Sequence, residues 1–344
     1  MPLPPRKLGR NGPVVPALGL GLMGIGSTIY GTTPSDAERF AVLDRAHELG
    51  ATFWDTSDMY GDCEELIGKW FKRTGKRDEI FLASKYGYIK NSPTFEVDSS
   101  GAACKKACDE SLKLLGVDSM DLYYVHAVNP KTPIEDSMRA MAELKAAGKI
   151  KHIGLSNVGS ADLRRAVKIA PVAAVQVEYA AFTRDIEGPT GTNLLATCRE
   201  LGVAVVAYSP LGRGLLTSAF AAGQGISDGK DMREVYFPRF HQDNRDKNIQ
   251  LVSQFTAMAA KKNCTTAQLA IAWLLKQGED IVPIPGTKKI EYLEENWGAL
   301  DVELTDAEDA EIRRFVENAE VGGGPVPHGI EDTFFPRTAE EAEA

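Results

Sequence analysis

Eight times along the chain a short β-branched or apolar run gives way to a longer segment of helical periodicity, and this alternation limits the fold more than any other feature. Parallel strands need crossover connections of a dozen or more residues, usually helices, so the pattern is one of consecutive β/α units. The strand candidates are 17–21, 52–55, 80–85, 121–125, 152–156, 175–178, 203–208 and 281–285. Between the first two, 35–49 places Phe40, Leu43 and Ala46 on one helical face. Ser35 with Glu38 three residues on predicts an N-cap and capping box.

An open sheet of eight parallel strands would leave two edges to protect, so closure into a (β/α)8 TIM barrel is expected. The 344 residues suit one such barrel, and no linker divides the chain, so a single domain over 1–344 is predicted. Ahead of the first strand, Asn11-Gly12 sits between short extended runs and predicts a two-residue N-terminal β-hairpin able to plug the barrel. The longest irregular stretch, 211–248, follows strand seven and reads as a substrate or cofactor loop. From 322 onward, glycines and an EEAEA end predict a mobile tail.

Several functions are disfavoured by composition. The excess of 48 Asp plus Glu over 39 Lys plus Arg argues against a nucleic-acid partner. No apolar run reaches the roughly 18 residues of a membrane span, and the first residues lack a secretion signal. Five cysteines without a C-x-x-C pair suggest neither a disulfide framework nor a zinc knuckle, and a cytoplasmic setting is expected. Cys104 and Cys108, at i and i+4 on the third helix, read as small buried residues, and no metal is expected. Gly19-x-Gly21-x-x-Gly24 matches the dinucleotide fingerprint in letters only: 25–34 reads as loop, with no helix opening on the glycines.

Barrel chemistry gathers where strands end. Asp55 closes the second strand, Tyr60 follows in its loop, Lys85 closes the third, and His126 comes just after the fourth. Singly, each has an ordinary structural explanation. Together they supply an acid: a lysine beside a tyrosine favours the phenolate, lowering its pKa from about 10 toward neutrality, while Asp55 balances the lysine. At about 4 Å and an effective dielectric of about 20, that charge is worth up to about 4 kcal/mol. Trp54 reads as barrel packing, and Phe237, Phe240 and His241 as candidates to line a pocket.

These residues carry a resemblance to the aldo-keto reductase superfamily, and to its fungal and bacterial pyridoxal-reductase-like branch. It lies in GATFWDTSDMYGDCEELIG at 50–68, the ASK ending at Lys85 and LKLLGVDSMDLYYVHAVN at 112–129. The resemblance implies that Asp55, Tyr60, Lys85 and His126 form a catalytic tetrad. It implies reduction of a small aldehyde or ketone by hydride from NADP(H), with Tyr60 donating the proton and His126 orienting the carbonyl. On the cofactor side it assigns Ser156, Asn157 and Gln176 to the carboxamide and Tyr208 to the nicotinamide face. Ser209, Leu211 and Arg213 fall at the pyrophosphate. After the eighth strand, PIPGTKKIEYLEEN resembles the adenosine segment, with Gly286 among the cofactor-binding residues, Thr287 and Lys288 near a 2′-phosphate and Glu295 and Asn296 at the adenine. The chain departs from the best-known branch in having Gly286 for lysine and Tyr292 for arginine.

Two other classes compete. Relatives of this fold include potassium-channel β subunits, so an NADPH-binding regulatory subunit with little turnover is the alternative. A lyase using Lys85 as a Schiff base is the third, opposed by Asp55, whose carboxylate keeps the amine protonated and poorly nucleophilic. Oligomeric state and the particular carbonyl substrate are not legible.

Overall fold

The computed structural model describes residues 4–90, 92, 94–224, 230–327 and 333–341. A short antiparallel pair, β1 (Arg6–Lys7) and β2 (Val14–Val15), precedes eight parallel strands. These are β3 (Leu20–Gly21), β4 (Phe53–Asp55), β5 (Phe81–Tyr86), β6 (Met120–Val125), β7 (Ile150–Ser156), β8 (Val172–Glu178), β9 (Ala204–Tyr208) and β10 (Ile281–Pro283), adjacent in space in chain order. The last meets the first: Gly19 N donates to Pro283 O (2.9 Å) and Gly21 N to Pro285 O (3.1 Å), closing the barrel. The seam is tight. A Cβ on Gly21 would lie 2.7 Å from Ile284 O, and one on Gly286 2.7 Å from Gly21 O, so both positions need the small residue for closure. Beyond this seam the first strand is shorter than the expected 17–21, because Ala17 and Leu18 turn outward to pack with Ile271 and Leu275.

Strand alternation separates two cores. Inward-facing Phe53, Ala83, Leu122, Tyr124, Ala174, Ala204, Val206, Val282 and Ile284 fill the lumen with Leu8 and Val15 from the hairpin. Outward-facing Trp54 packs edge-on against Trp70 at 4.7 Å and stacks with Phe71, as barrel packing requires. Gly154 faces Tyr124 across paired strands, and a Cβ there would overlap the ring. Gly154→Ala is therefore expected to cost about 1–3 kcal/mol by overpacking, read as a lower urea midpoint with unchanged slope.

The hairpin does plug the N-terminal end: Arg6 donates to Leu275 O (2.7 Å) and to Ile281 O, and Arg10 N donates to Gly202 O (2.7 Å). Its turn is not the two-residue one expected. Lys7 pairs with Val14 across six residues, and Leu8 N donates to Pro13 O. A turn centred on Asn11-Gly12 would have needed an N–H from Pro13, which has none.

Helix Asp36–Glu48 starts on the predicted capping box, with Glu38 Oε2 accepting from Ser35 N at 2.9 Å. The dinucleotide-like glycines run into a four-residue helix, Met23–Gly26, and then loop, so 25–34 is not loop throughout. The irregular stretch after β9 is shorter than expected, since a 20-residue helix begins at Gln242; residues 225–229 of it lie outside the described residues. The expected mobile tail is seated where described. Phe335 N donates to Asn157 O (2.9 Å) and Ala339 N to Pro130 O (2.7 Å), while Thr338 satisfies the buried Asp162 carboxylate through its N–H (2.9 Å) and hydroxyl (3.0 Å). A buried carboxylate needs such donors, which composition does not reveal. Residues 328–332 and 342–344 of that tail lie outside the described ones. No helix among the described residues is long and apolar enough to cross a membrane.

Candidate active site

Asp55 ends β4 and Lys85 lies near the end of β5, two inward positions on adjacent strands, so register alone points both side chains into the barrel mouth. They pair: Lys85 Nζ is 2.5 Å from Asp55 Oδ1, with 0% and 2% of the two residues exposed. Lys85 also donates to Thr56 O (2.8 Å) and to Tyr60 Oη (3.4 Å), and its ammonium lies 4.8 Å from the Tyr60 ring centre. Asp55 Oδ2 accepts from Gln176 Nε2 at 2.7 Å. Burial pushes the Asp55 carboxyl up, opposed by the Lys85 ammonium and the Gln176 amide.

Tyr60 departs from expectation. Its phenol is held well above its ordinary value, chiefly by desolvation and then by the Asp55 charge. The Lys85 ammonium, paired with a carboxylate 2.5 Å away, does not outweigh these two effects, so the phenol keeps its proton at neutral pH. His126, packed edge-on between Tyr60 (5.7 Å) and Tyr88 (4.9 Å), is pushed well below its usual value by burial and then by Lys85, and stands as neutral imidazole. All four predicted side chains meet at one mouth.

Ser156 ends β7 beside Gln176 of β8, and its buried Oγ has no hydrogen-bond partner among the described residues. Asn157 follows in left-handed backbone (φ 55°), its Oδ1 accepting from Tyr208 Oη at 3.2 Å. Ser209 is also left-handed (φ 49°) and its carbonyl accepts from Gly212 N, while Leu211 is half-buried against the core. Arg213 lies over Phe237 at 4.4 Å, and its guanidinium reaches Tyr30 Oη (3.3 Å) and Glu178 Oε2 (3.4 Å). Its Nε, like Ser156 Oγ, is buried without a partner among the described residues. Unsatisfied buried donors are costly, and two on residues at or just after the ends of β7 and β9 fit a polar ligand laid along the mouth.

Past the seam, Lys288 Nζ donates to Tyr30 O (2.7 Å) and Thr32 O (2.8 Å). Thr287 Oγ1 accepts from Lys289 N (3.1 Å) just before helix Ile290–Trp297, which carries half-buried Glu295 and buried Asn296. The loop at Tyr30 thus touches both Arg213 and Lys288. It is also held from above, with Met232 N donating to Ile29 O (2.9 Å).

Of the pocket candidates, Phe237 backs Arg213, but Phe240 packs on Phe220 (5.9 Å) inside the loop and His241 is the N-cap position of helix Gln242–Lys261. Cys104 and Cys108 are buried thiols, both pushed up to about 12 by burial. Sequence reasoning missed Glu178, Tyr30, Tyr88, Ser57 and Asp58. Glu178 had a signal, a charge two positions beyond Gln176 and hence on the same inward face; the others depend on loop paths.

A closed parallel barrel with an ion pair, a phenol and an imidazole at its C-terminal mouth defines a barrel enzyme equipped for proton transfer. The Aldo/keto reductase family model matches residues 17–317. The chain belongs to that family and is an oxidoreductase of the aldo-keto reductase type. It is 48% identical over 331 residues to aldo-keto reductase str7 of Strobilurus tenacellus, covering 94% of this chain and 95% of that one. It is 47% identical over 339 residues to aldo-keto reductase yakc [NADP(+)] of Schizosaccharomyces pombe, covering 97% and 98%. Among solved structures, the thermostable aldo-keto reductase Tm1743, in complex with the inhibitor epalrestat, is similar with TM-score 0.72 and 31% identity, covering 91% of this chain and 100% of that one. The glycerol dehydrogenase AKR11B4 of Gluconobacter oxydans is similar with TM-score 0.78 and 26% identity, covering 91% and 94%.

Proposed function

We propose that this chain reduces an aldehyde or ketone to the alcohol, with NADPH as hydride source and Tyr60 as proton donor. The observation that carries the reading is the 3.4 Å approach of the Lys85 ammonium to the Tyr60 hydroxyl, with Asp55 2.5 Å behind the lysine. A reduced nicotinamide supplies the hydride when bound. The side chains do the rest: the Tyr60 O–H donates to the carbonyl oxygen as negative charge grows there, and the Lys85 ammonium stabilises the phenolate left behind. His126, neutral, orients the same oxygen through a ring N–H. Asp55 fixes the lysine and is itself fixed by Gln176.

For the dinucleotide we assign Ser156, Asn157 and Gln176 to the carboxamide, Tyr208 to the ring face and Ser209, Leu211 and Arg213 to the pyrophosphate. The partnerless Ser156 Oγ and Arg213 Nε support this assignment. Thr287 and Lys288 are assigned to a 2′-phosphate, and Glu295 and Asn296 to the adenine. The Schizosaccharomyces pombe relative, which carries NADP(+) in its name, supports NADPH over NADH. Five free thiols fit a reducing compartment, and the cytoplasm is the proposed location. Both relatives are named as aldo-keto reductases, and no observation favours a channel-type regulatory subunit.

The test follows NADPH and NADH absorbance with aromatic, aliphatic and sugar-derived aldehydes, ketones and pyridoxal. Carbonyl-dependent oxidation of NADPH is expected, and its absence across the panel sinks the reading. Lys288→Met is expected to raise KM for NADPH by about 10- to 100-fold, the worth of one charge-assisted hydrogen bond, and to leave that for NADH nearly unchanged.

A further inference from the structure

The loop after β4 places two polar side chains behind the imidazole. Backbone bonds fix their positions: Thr56 N donates to Ala83 O (2.9 Å), Asp58 N to Lys85 O (3.2 Å), and His126 N to Tyr86 O (2.7 Å). The result is a line of three groups. His126 Nδ1 lies 3.0 Å from Ser57 Oγ, which lies 3.2 Å from Asp58 Oδ1 and accepts from Met59 N at 3.2 Å. Ser57 and Asp58 are both buried.

We propose that Ser57 and Asp58 are positioning residues that set which ring nitrogen of His126 carries the proton, and thereby whether the imidazole can donate a hydrogen bond to the carbonyl. This rests on the reading that His126 faces the substrate oxygen. The argument is one of valence. A serine hydroxyl has one proton to give and two lone pairs, and Met59 N–H occupies one of them. With Asp58 protonated, its O–H donates to Ser57 Oγ, Ser57 donates to Nδ1, and His126 carries N–H at Nε2. With Asp58 ionised, Ser57 donates to the carboxylate, Nδ1–H donates to Ser57, and Nε2 is a bare lone pair. Both arrangements saturate the hydroxyl. They differ by one proton: Asp58 passes one to Ser57, Ser57 passes one to Nδ1, and one leaves from Nε2. The rings of Tyr60 and Tyr88 hold the imidazole edge-on from two directions, so proton movement rather than a ring flip makes the exchange.

The surroundings place the exchange in an accessible range. Burial first, then the Glu64 carboxylate on helix Cys63–Thr74, push the Asp58 carboxyl up to about 7. Lys90 beyond β5, the Ser57 hydroxyl and Lys85 on β5 pull the other way. From β6, the Tyr123 phenol also feels Asp58. Glu64 is itself buried, held up by desolvation against a 2.6 Å bond from Ser84 Oγ. His126 faces Lys85, Ser57, Tyr60 and Tyr88.

The test is NMR of the intact protein labelled with 15N-histidine, without cofactor, from about pH 5 to about pH 9, a range spanning the ordinary histidine pKa. The chain has five histidines, and His126→Asn identifies the signals. In the wild type the pyrrole-like and pyridine-like 15N resonances of His126 are expected to exchange positions near neutrality. In Asp58→Asn and Ser57→Ala the exchange is expected to vanish. In steady-state reduction, wild-type kcat is expected to fall about tenfold per pH unit above the exchange, a limb missing from the Asp58→Asn profile. One tautomer at every pH in the wild type, or an exchange persisting in Asp58→Asn, overturns the proposal. The spectra need no turnover, so they decide the relay even if no carbonyl is reduced; Tyr60→Phe kinetics decide the reading beneath it.

Discussion

Tyr60→Phe is expected to lower kcat for carbonyl reduction by about 10²- to 10⁴-fold, the usual worth of a positioned general acid, with KM within about threefold of wild type. The substitution removes one hydroxyl from a half-buried ring whose hydrogen bond among the described residues is the 3.4 Å contact with Lys85, so the fold has little reason to respond. Cofactor affinity should persist, because the groups assigned to the dinucleotide lie on β7, β8, β9 and the segment after β10. Fluorescence titration with NADPH measures that separately from turnover. Wild-type rates in the Phe variant would remove Tyr60 from the reaction. A second consequence follows from the phenol's raised pKa: Tyr60 remains protonated well past neutrality, so any alkaline loss of reduction between about pH 7 and pH 9 has another origin.

How the sequence anticipated this site is instructive. Asp55 and Lys85 were legible because they sit at inward positions near strand ends, where the period of two and the shared register of parallel strands dictate direction, whereas Gln176 was reached through the family resemblance. Tyr60 and His126 stood out through the company they keep. The sign of the Tyr60 shift was not legible: it follows chiefly from burial of the phenol and then from the Asp55 charge, both set by how the loop folds over the mouth. The Ser57–His126 contact joins residues 69 positions apart through a loop with no periodicity, and nothing local encodes it.

The fold tells the same story at larger scale. Alternation of apolar runs and amphipathic segments, governed by local geometry, located eight strands to within a few residues. What escaped were features resolved by distant partners. The approach of Gly286 to Gly21 across the closing seam is one. The C-terminal segment looked like solvent-exposed tail because its composition is polar, yet Thr338 answers the buried Asp162. The Arg6 guanidinium at the barrel floor is pulled down to about 10 by desolvation, a cost offset by two carbonyl acceptors far along the chain.

Lys85→Met is expected to produce the largest loss of stability of any substitution considered. The variant leaves the Asp55 carboxylate buried with only Gln176 as donor, and removing one partner of a buried pair costs about 3–5 kcal/mol. Such a loss lowers Tm by about 4–7 °C in a chain of this size. Turnover falls as well, because Tyr60 loses the cation that stabilises its phenolate. The two effects separate in a double variant. Asp55→Leu with Lys85→Met replaces the pair by apolar side chains of similar volume, an exchange often neutral or stabilising by about 1–4 kcal/mol relative to an intact pair. The double variant is therefore expected to regain most of the lost stability in urea unfolding and none of the lost kcat. If it stays as unstable as the single variant, the lumen depends on this pair for more than compensation of charge. Recovery of activity along with stability would mean instead that the pair contributes nothing to proton donation.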